Sequence, residues 1–278
     1  KWTIRNIGTG TTLSGAPTEA GRAILNQVGA SRPQIKALLD YLPAAQTSIG
    51  RSATLLAGGN TYQVPLGSMT GSTSYSENNW QMSGRGDVRV NDQHSLTMRY
   101  MVNDDVYSGS GQATPPGNTT TGTVRAQSAV AAWNSTPTPR MFNEFRISYM
   151  RYNSLSNATD PKSQAIPSLE ISELGMTGIN AASSRTAIGL AVNLPQWRRT
   201  NTYQVQNSTG LMRGRHAIKF GFDFRRTDTV TFFGPTSRGS LAYDTLQRLY
   251  DDVATAATIN ATLPGGTVIW PFLAYDYF

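Results

Sequence analysis

Apolar and polar residues alternate strictly over long stretches of this chain, and the first such stretch covers residues 80–90. Trp80, Met82 and Val88 share one set of positions with glycines, and polar or charged residues fill the positions between them. Side chains two residues apart lie on the same side of a β-strand, so the pattern predicts a strand with one apolar and one polar face. Residues 95–102 repeat the pattern after a short turn, and the two segments together predict an antiparallel hairpin.

This hairpin unit recurs along the chain, and its connections are of two kinds. Further strands are predicted at residues 124–133, 142–152, 202–211 and 217–225, with partial strands at residues 2–7 and 271–278. The turns within the hairpins are short. Long segments rich in Gly, Pro, Ser and Thr join one hairpin to the next, and they cover residues 103–123, 153–199 and 226–270.

Strand length and loop length together favour a membrane barrel over a soluble sheet. A strand that crosses a bilayer obliquely needs roughly 9–11 residues, whereas strands of soluble proteins usually have about 5–6. Outer-membrane barrels also have short periplasmic turns and long extracellular loops. The sequence therefore predicts an all-β fold: an antiparallel transmembrane β-barrel segment with short periplasmic turns, long extracellular loops and a few short helices in the loops.

The helical patterns are short and few. One helix ends at Gly29 and begins after a cap at Thr18 or Ser14, a second covers residues 35–42, and a third lies within residues 241–253. Three helices of this length cannot form a helical domain in so long a chain.

The domain prediction treats residues 1–278 as one partial outer-membrane β-barrel domain. Within it, residues 1–75 are mostly extracellular loop with short helices, and residues 76–278 hold the strand hairpins and the long loops.

Charged residues concentrate on the polar sides of the predicted strands. An apolar core would leave these charges without water, which is unfavourable unless each is paired, whereas a hydrated barrel interior solvates them. We therefore expect them to line a lumen, where they are candidates for contact with a substrate of unknown identity. The candidates are Arg85, Asp87, Arg89, Arg99, Arg125, Arg146, Lys219, Asp223 and Arg225.

Aromatic residues fall near the ends of the predicted strands, as the interfacial girdles of membrane barrels require. They are Trp80, Tyr100, Trp133, Tyr149, Tyr152 and Phe224.

Composition excludes several kinds of chemistry. The chain has no cysteine and two histidines, which rules out thiolate metal sites and thiol nucleophiles, and we expect no metal, no cofactor and no catalytic residues. The formal charge of +7 could suggest nucleic acid, but arginines spaced two apart within strands fit a lumen lining better, so we expect no nucleic-acid partner and no enzyme activity.

Several segments resemble a known family. The run RGDVRVNDQHSLTMRYMVND, the loop GQATPPGNTT, the strand FNEFRISYMRY and the segment RGRHAIKFGFDFRRT are similar to the barrel of Oar-like TonB-dependent outer-membrane receptors. The resemblance extends from about Pro17 to Phe278.

This resemblance implies a barrel of about 22 strands filled by an N-terminal plug, in the outer membrane of a Gram-negative bacterium. It also implies contact with outer-membrane lipid, and energy coupling to the TonB–ExbB–ExbD system through an N-terminal region. The sequence contains no plug, TonB box or final strands, so we expect it to be an internal fragment of a longer receptor.

Three functions remain open at this point. The first is TonB-coupled transport of a polar substrate, which could be an oligosaccharide, a peptide or a metal chelate. The second is a passive porin-like or adhesive outer-membrane barrel. The third is a secreted soluble β protein that binds glycans.

Overall fold

The long strands and the short elements between them follow one another in a regular order. The computed structural model describes residues 1–164, 166–178, 185–233 and 239–258. In chain order the strands are β1 (Trp2–Thr9), β2 (Leu13–Pro17), β3 (Thr47–Ala57), β4 (Asn60–Met69), β5 (Ser72–Arg89), β6 (His94–Gly111), β7 (Thr119–Thr138), β8 (Met141–Ala158), β9 (Ser168–Ile171), β10 (Gln196–Arg213), β11 (His216–Phe232), β12 (Ser240–Tyr243) and β13 (Ala256–Thr258). The helices are α1 (Glu19–Gly29), α2 (Pro33–Tyr41), α3 (Pro161–Gln164) and α4 (Leu246–Tyr250), and a 3₁₀ turn covers Ser172–Leu174.

The longest strands form one antiparallel sheet of seven strands, in the order β1-β5-β6-β7-β8-β10-β11. Strand β5 has 18 residues and β7 has 20. Each strand of this sheet pairs with the next over most of its length, so neighbouring backbones satisfy each other's hydrogen bonds. The all-β antiparallel fold expected from the sequence is confirmed.

The connections are sorted by length onto the two ends of this sheet. At one end, which we call the turn end, residues 90–93, 139–140 and 214–215 join neighbouring strands. At the other, which we call the loop end, residues 10–71, 112–118 and 159–195 make the longer connections. The asymmetry predicted from the sequence is therefore present.

The strands are longer than the sequence pattern predicts, and the predicted loop bounds are wrong for that reason. Strand β6 continues to Gly111 and β7 begins at Thr119, so the loop predicted at residues 103–123 shrinks to residues 112–118. The alternation fades in these extensions while the backbone pairing continues, because pairing does not depend on which side chains are apolar.

The other two loop predictions change in the same direction. Strands β8 and β10 shorten the loop predicted at residues 153–199, and β11 extends into the segment 226–270. The partial strand predicted at residues 271–278 lies outside the described residues.

The helices agree with the sequence at the start of the chain and differ near its end. Helix α1 begins after Thr18, whose Oγ1 accepts a hydrogen bond of 3.2 Å from the backbone N–H of Gly21, and α2 follows it. The helix predicted within residues 241–253 is only five residues long. Part of that segment instead forms β12, because it pairs in parallel with β9 from another loop.

A second sheet, not expected from the sequence, lies in the first long connection. Its order is β2-β4-β3. Strands β3 and β4 are joined by Gly58 and Gly59, which both have positive φ angles, of 57° and 78°, that glycine adopts without steric cost.

The main apolar core of the described residues lies among the loops rather than in the large sheet. We call residues 10–71, 166–178, 185–195 and 239–258 the loop unit. Its fully buried side chains come from the two helices, the small sheet and the two later loops, and they include Leu25, Leu38, Leu55, Leu66, Ile171, Leu174, Tyr243 and Leu246. Distant segments of the chain therefore fold together into one unit at the loop end.

Two adjacent leucines of β3 provide a test of this core. Leu55 is fully buried, whereas Leu56 is 58% exposed. We expect Leu55→Ala to destabilise the loop unit by about 2–5 kcal/mol, because it leaves a cavity in a close-packed core, and Leu56→Ala to have a much smaller effect. Limited proteolysis of the membrane-inserted protein measures both changes. Equal protease sensitivity of the two variants would contradict a packed loop unit.

Candidate transport face and loop unit

The seven-stranded sheet has two chemically different faces, and the strand register defines them. Antiparallel partners lie on the same side of a sheet. One row across the sheet joins Arg85, Arg99, Val130, Ser148, Gln204 and Arg225, and we call this side the polar face. The adjacent row joins Gly86, Met98, Ala131, Ile147, Val205 and Phe224, and we call that side the apolar face.

Eight of the nine charged candidates lie together on the polar face. They are Arg85, Asp87, Arg89, Arg99, Arg146, Lys219, Asp223 and Arg225. Arg125 is the exception, because it pairs with Asp104 and Asn153 on the apolar face. The grouping of Arg125 with the other eight is therefore corrected.

Two carboxylates of the polar face, those of Asp87 and Asp223, are held by hydrogen bonds. Asp87 accepts bonds of 2.8 and 2.9 Å from the Arg85 guanidinium and one of 2.7 Å from the Thr97 hydroxyl. Asp223 accepts bonds of 2.8 and 2.9 Å from the amide of Gln204 and one of 3.0 Å from Gln206. The two acids are thus fixed by their neighbours on the sheet.

Cations exceed acids on the described polar face by seven to five, because Arg198 adds to the six cationic candidates and Glu77, Asp105 and Glu144 add to the two acids. Arg85 pairs with Asp87, Arg89 lies 2.6 Å from Asp92 in the adjoining turn, and Arg146 lies 2.8 Å from Glu144. Arg99, Lys219 and Arg225 form no salt bridge among the described residues. A surface with this balance attracts anions and polar groups.

The apolar face carries a belt that ends sharply toward the loop end. On each of six strands, the last apolar side chain of this belt is followed, two residues on, by a polar or charged one. These last residues are Trp80, Val102, Ala129, Tyr149, Tyr203 and Phe224, followed by Asn78, Asp104, Gln127, Arg151, Asn201 and Arg226.

The upper edge of this belt crosses the strands obliquely. Following the paired residues from strand to strand leads from Trp80 on β5 to Val230 on β11. On β11, however, the belt ends at Phe224, six residues closer to the turn end than Val230. Six residues rise about 20 Å and five strand spacings cover about 24 Å, so the edge is inclined by about 40°. Strands of membrane barrels tilt about 35–45° from the barrel axis, so a flat membrane boundary would cross them at this angle.

Polar side chains interrupt the belt in one place, near the turn end. The Asn143 amide donates hydrogen bonds of 2.7 Å to the Thr209 hydroxyl and 3.2 Å to the Asn207 side chain. Because these groups bond to one another, they occupy an apolar surface without losing their partners.

Five of the six predicted girdle aromatics lie on the apolar face, and Trp133 packs there against His94 with ring centroids 5.5 Å apart. Tyr152 is the exception: it pairs with Ala126 and Thr200 on the polar face, so its assignment to an outward girdle is corrected.

Polar contacts fasten the last loop to the first. The Arg32 guanidinium donates a 2.8 Å hydrogen bond to the Tyr250 carbonyl and lies 3.9 Å above the Tyr250 ring. Gln34 donates to the same carbonyl at 3.0 Å. The Gln247 side chain accepts from the Leu56 N–H at 2.7 Å, which occupies part of the free edge of β3.

The remaining loops are fastened in the same way. Arg51 donates a 2.8 Å hydrogen bond to the Glu173 carbonyl. Gln112 donates at 2.7 Å to the Ala187 carbonyl, and the Thr114 hydroxyl accepts at 2.7 Å from the Gly71 N–H. Each connection at the loop end therefore contacts at least one other.

Two tyrosines of the loop unit have shifted titrations. Burial, with a smaller contribution from the charge of Asp252, raises the pKa of Tyr243 above its ordinary value, and its hydroxyl lies 3.3 Å from Asp252 Oδ1. Burial also raises the pKa of Tyr41, helped by Asp160 and Asp40. Both phenols stay protonated at neutral pH, and that of Tyr41 donates to the Lys162 carbonyl.

Sequence reasoning missed the contacts of the loop unit. Arg32, Arg51 and Gln247 act on partners far along the chain, and no local pattern indicates such partners. The Gly58-Gly59 pair between two strand-forming runs is a hairpin signal that could have identified β3 and β4.

Within the described part of the chain, no group of three or more His, Asp or Glu residues has the arrangement of a metal site. None of the helices in that part is long and apolar enough to cross a membrane.

The chain matches the family described as outer membrane beta barrel domain over residues 4–263. It belongs to this family, and the protein is an outer-membrane β-barrel of Gram-negative bacteria that contacts outer-membrane lipid. No curated protein and no solved structure matches the chain significantly.

The two faces can be tested by cysteine labelling, because the chain contains no cysteine. Ile147 and Ser148 are adjacent on the interior strand β8 and lie on opposite faces. We expect Ser148→Cys in the membrane-inserted protein to react with a charged, water-soluble thiol reagent at least about tenfold faster than Ile147→Cys, since lipid shields the apolar face. A lipid-soluble maleimide provides the control for thiol reactivity. Equal rates with the charged reagent would contradict the assignment of the faces.

Proposed function

We propose that this chain is part of a TonB-dependent outer-membrane transporter, in which the polar face lines a hydrated lumen and the loop unit lies at the extracellular mouth. The gathering of eight charged candidates on one face, opposite an apolar belt, is the observation that carries the proposal. A polar solute can pass along such a surface without entering lipid.

The excess of cations gives the proposed lumen a preference. Arg99, Lys219 and Arg225 have no salt bridge among the described residues and remain available to a solute. We propose a polar substrate that carries hydroxyl, carboxylate or other oxygen-rich groups. Oligosaccharides, peptides and metal chelates all have this chemistry.

The loop unit supports capture before passage. Long loops of outer-membrane barrels are extracellular, and binding residues concentrate on loops that a scaffold positions. Here the loops share one core and are fastened to each other by hydrogen bonds, so they present a preorganised surface. Preorganisation lowers the entropy lost on binding. The proposed role is binding and transport rather than catalysis.

Energy coupling is supported by the resemblance of the chain to Oar-like TonB-dependent receptors. The alternative is a passive porin-like or adhesive barrel, which would share the two faces of the sheet. The two differ in whether movement of the solute needs the proton gradient of the inner membrane. A secreted soluble protein would not share the outer-membrane location of this family.

Charge reversal tests the lumen. In the full protein that contains this barrel, we expect Arg89→Glu with Arg225→Glu to lower the ratio of chloride to potassium permeability severalfold, because the face loses its cationic excess. The reversal potential of single channels in a potassium chloride gradient measures this ratio. Arg140→Glu with Arg215→Glu is the control, since it makes the same charge change in the β7–β8 and β10–β11 turns. Unchanged selectivity in the double variant would contradict a lumen lined by the polar face.

Energy coupling has a separate test. Cells that carry the full protein are given a labelled oligosaccharide, a short peptide and a ferric hydroxamate chelate. We expect uptake of at least one of them to fall at least about tenfold after addition of a proton uncoupler and in cells without TonB. Uptake that continues at the same rate in both conditions would favour the passive barrel.

A further inference from the structure

On the adjacent strands β7, β8, β10 and β11, four arginines lie on the apolar face, just beyond the loop-side edge of the apolar belt. They are Arg125 on β7, Arg151 on β8, Arg199 on β10 and Arg226 on β11. Their positions follow the oblique edge of the belt. Arg151 and Arg226 lie two residues beyond the last apolar residue of the belt on their strands, and Arg125 and Arg199 lie four residues beyond it. We call these four residues the arginine band.

Three members of the band, Arg125, Arg151 and Arg199, are close neighbours on adjacent strands. Arg151 lies diagonally next to Arg125 on one side and next to Arg199 on the other, because Gln127 pairs with Arg151 and Asn153 pairs with Arg199. Such diagonal positions have Cα atoms about 8 Å apart, within the reach of two arginine side chains to one ligand.

The charges of the band are incompletely neutralised. Arg226 lies 3.1 Å from Asp228, and Arg125 reaches Asp104 only at 3.9 Å. The side chains of Arg151 and Arg199 form no hydrogen bond or salt bridge among the described residues, and Arg199 is exposed. Four guanidinium groups therefore face only two carboxylates, on a surface that points away from the proposed lumen.

Apolar side chains flank the band on both sides. The belt lies on the membrane side, and Leu155, Trp197 and Phe232 form a narrower apolar strip on the loop side. A guanidinium between apolar surfaces is less hydrated than one in open water, which strengthens its attraction to an anion.

We propose that the arginine band binds the phosphate groups of an anionic lipid headgroup in the loop-side leaflet of the outer membrane. The acyl chains of that lipid cover the apolar belt below. Headgroup phosphates lie just outside the hydrocarbon layer, and the band occupies this height on the outward face. Arginine pairs with phosphate through two parallel hydrogen bonds, which a lysine cannot form. The site is independent of whether the barrel transports anything.

The test measures lipid binding by the full protein in detergent, with native mass spectrometry. The probe is an acylated glucosamine disaccharide that carries two phosphates, compared with its dephosphorylated form. We expect Arg151→Gln with Arg199→Gln to weaken binding of the phosphorylated lipid about thirtyfold and to leave binding of the dephosphorylated lipid unchanged. Arg151→Lys with Arg199→Lys should bind more weakly than the unmodified protein but more strongly than the glutamine variant, since lysine keeps the charge but cannot form the paired hydrogen bonds.

Arg198→Gln is the matched control. Arg198 is adjacent to Arg199 on the same strand and is also exposed, but it lies on the polar face. The control should bind the phosphorylated lipid as the unmodified protein does. Heat-modifiable gel mobility shows that each variant is folded, and Arg226→Gln provides an independent variant at the other end of the band with an expected loss of about fivefold.

Three results would overturn the proposal. One is equal binding of the phosphorylated and dephosphorylated lipids, which would make the acyl chains or sugars the recognised groups. Another is an equal loss in Arg198→Gln, which would indicate attraction by the overall charge. The third is competition by inorganic phosphate at the same concentration as the lipid, which would make the site one for a free anion.

Discussion

Backbone hydrogen bonding inside lipid is the constraint on which the rest of the structure depends. An unpaired peptide group in a bilayer has no water to replace its partner, so the strands must pair without interruption across the membrane. The large sheet meets this condition: its register shifts occur only between Ser108 and Ser110, near the loop end, and between Ser135 and Thr138, near the turn end. The irregular positions therefore lie beyond the apolar belt, where water can satisfy a displaced group.

The loop unit answers a different requirement. The large sheet provides little apolar core among the described residues, because one of its faces meets lipid and the other carries charges. The long connections must therefore bury their own apolar side chains, and no single loop contains enough of them to offset the loss of chain entropy. Sharing one core solves this problem and couples the loops. A ligand that displaces the Arg32 contact with Tyr250, for example, would disturb segments more than 200 residues apart in sequence.

The period of two predicted the sheet and the sorting of its connections, but only where the two faces have different surroundings. On the loop side of the belt, both faces of β6 are hydrated or contact the loops. Residues 103–111 therefore form a strand without alternating apolar and polar side chains. Arg125 shows a second limit. Both faces of β7 carry apolar residues: Val124 and Val130 lie on one face, and Ala129 and Ala131 lie on the other. The local pattern therefore does not show which face is the apolar one. Trp133 lies on the same face of β7 as Arg125, and it pairs with Phe145 of β8. Only this pairing between strands shows that Arg125 lies on the apolar face.

Tertiary contacts explain the rest of the difference between sequence and structure. Residues 241–243 belong to a segment whose apolar residues have a helical spacing, but they form a strand. They do so because their backbone pairs with the edge of β9, which a helix cannot do. The hairpin of β3 and β4 carries a turn signal, yet its burial against α1 and the later loops depends on segments that no local window contains.

The surroundings of a charged side chain in this molecule depend on the face of the sheet and on the position along the strand, and the net charge of the chain does not reveal them. Arg198 and Arg199 are neighbours in sequence with the same side chain, yet one points to the surface that also carries Arg225 and the other to the surface that carries Phe224. In the proposed arrangement, Arg198 faces the lumen and Arg199 faces the membrane. The excess of 24 basic over 17 acidic residues is thus divided between two environments separated by one β-sheet. A partner inferred from the total would have been nucleic acid, whereas the register divides the same arginines between two opposite faces of one sheet.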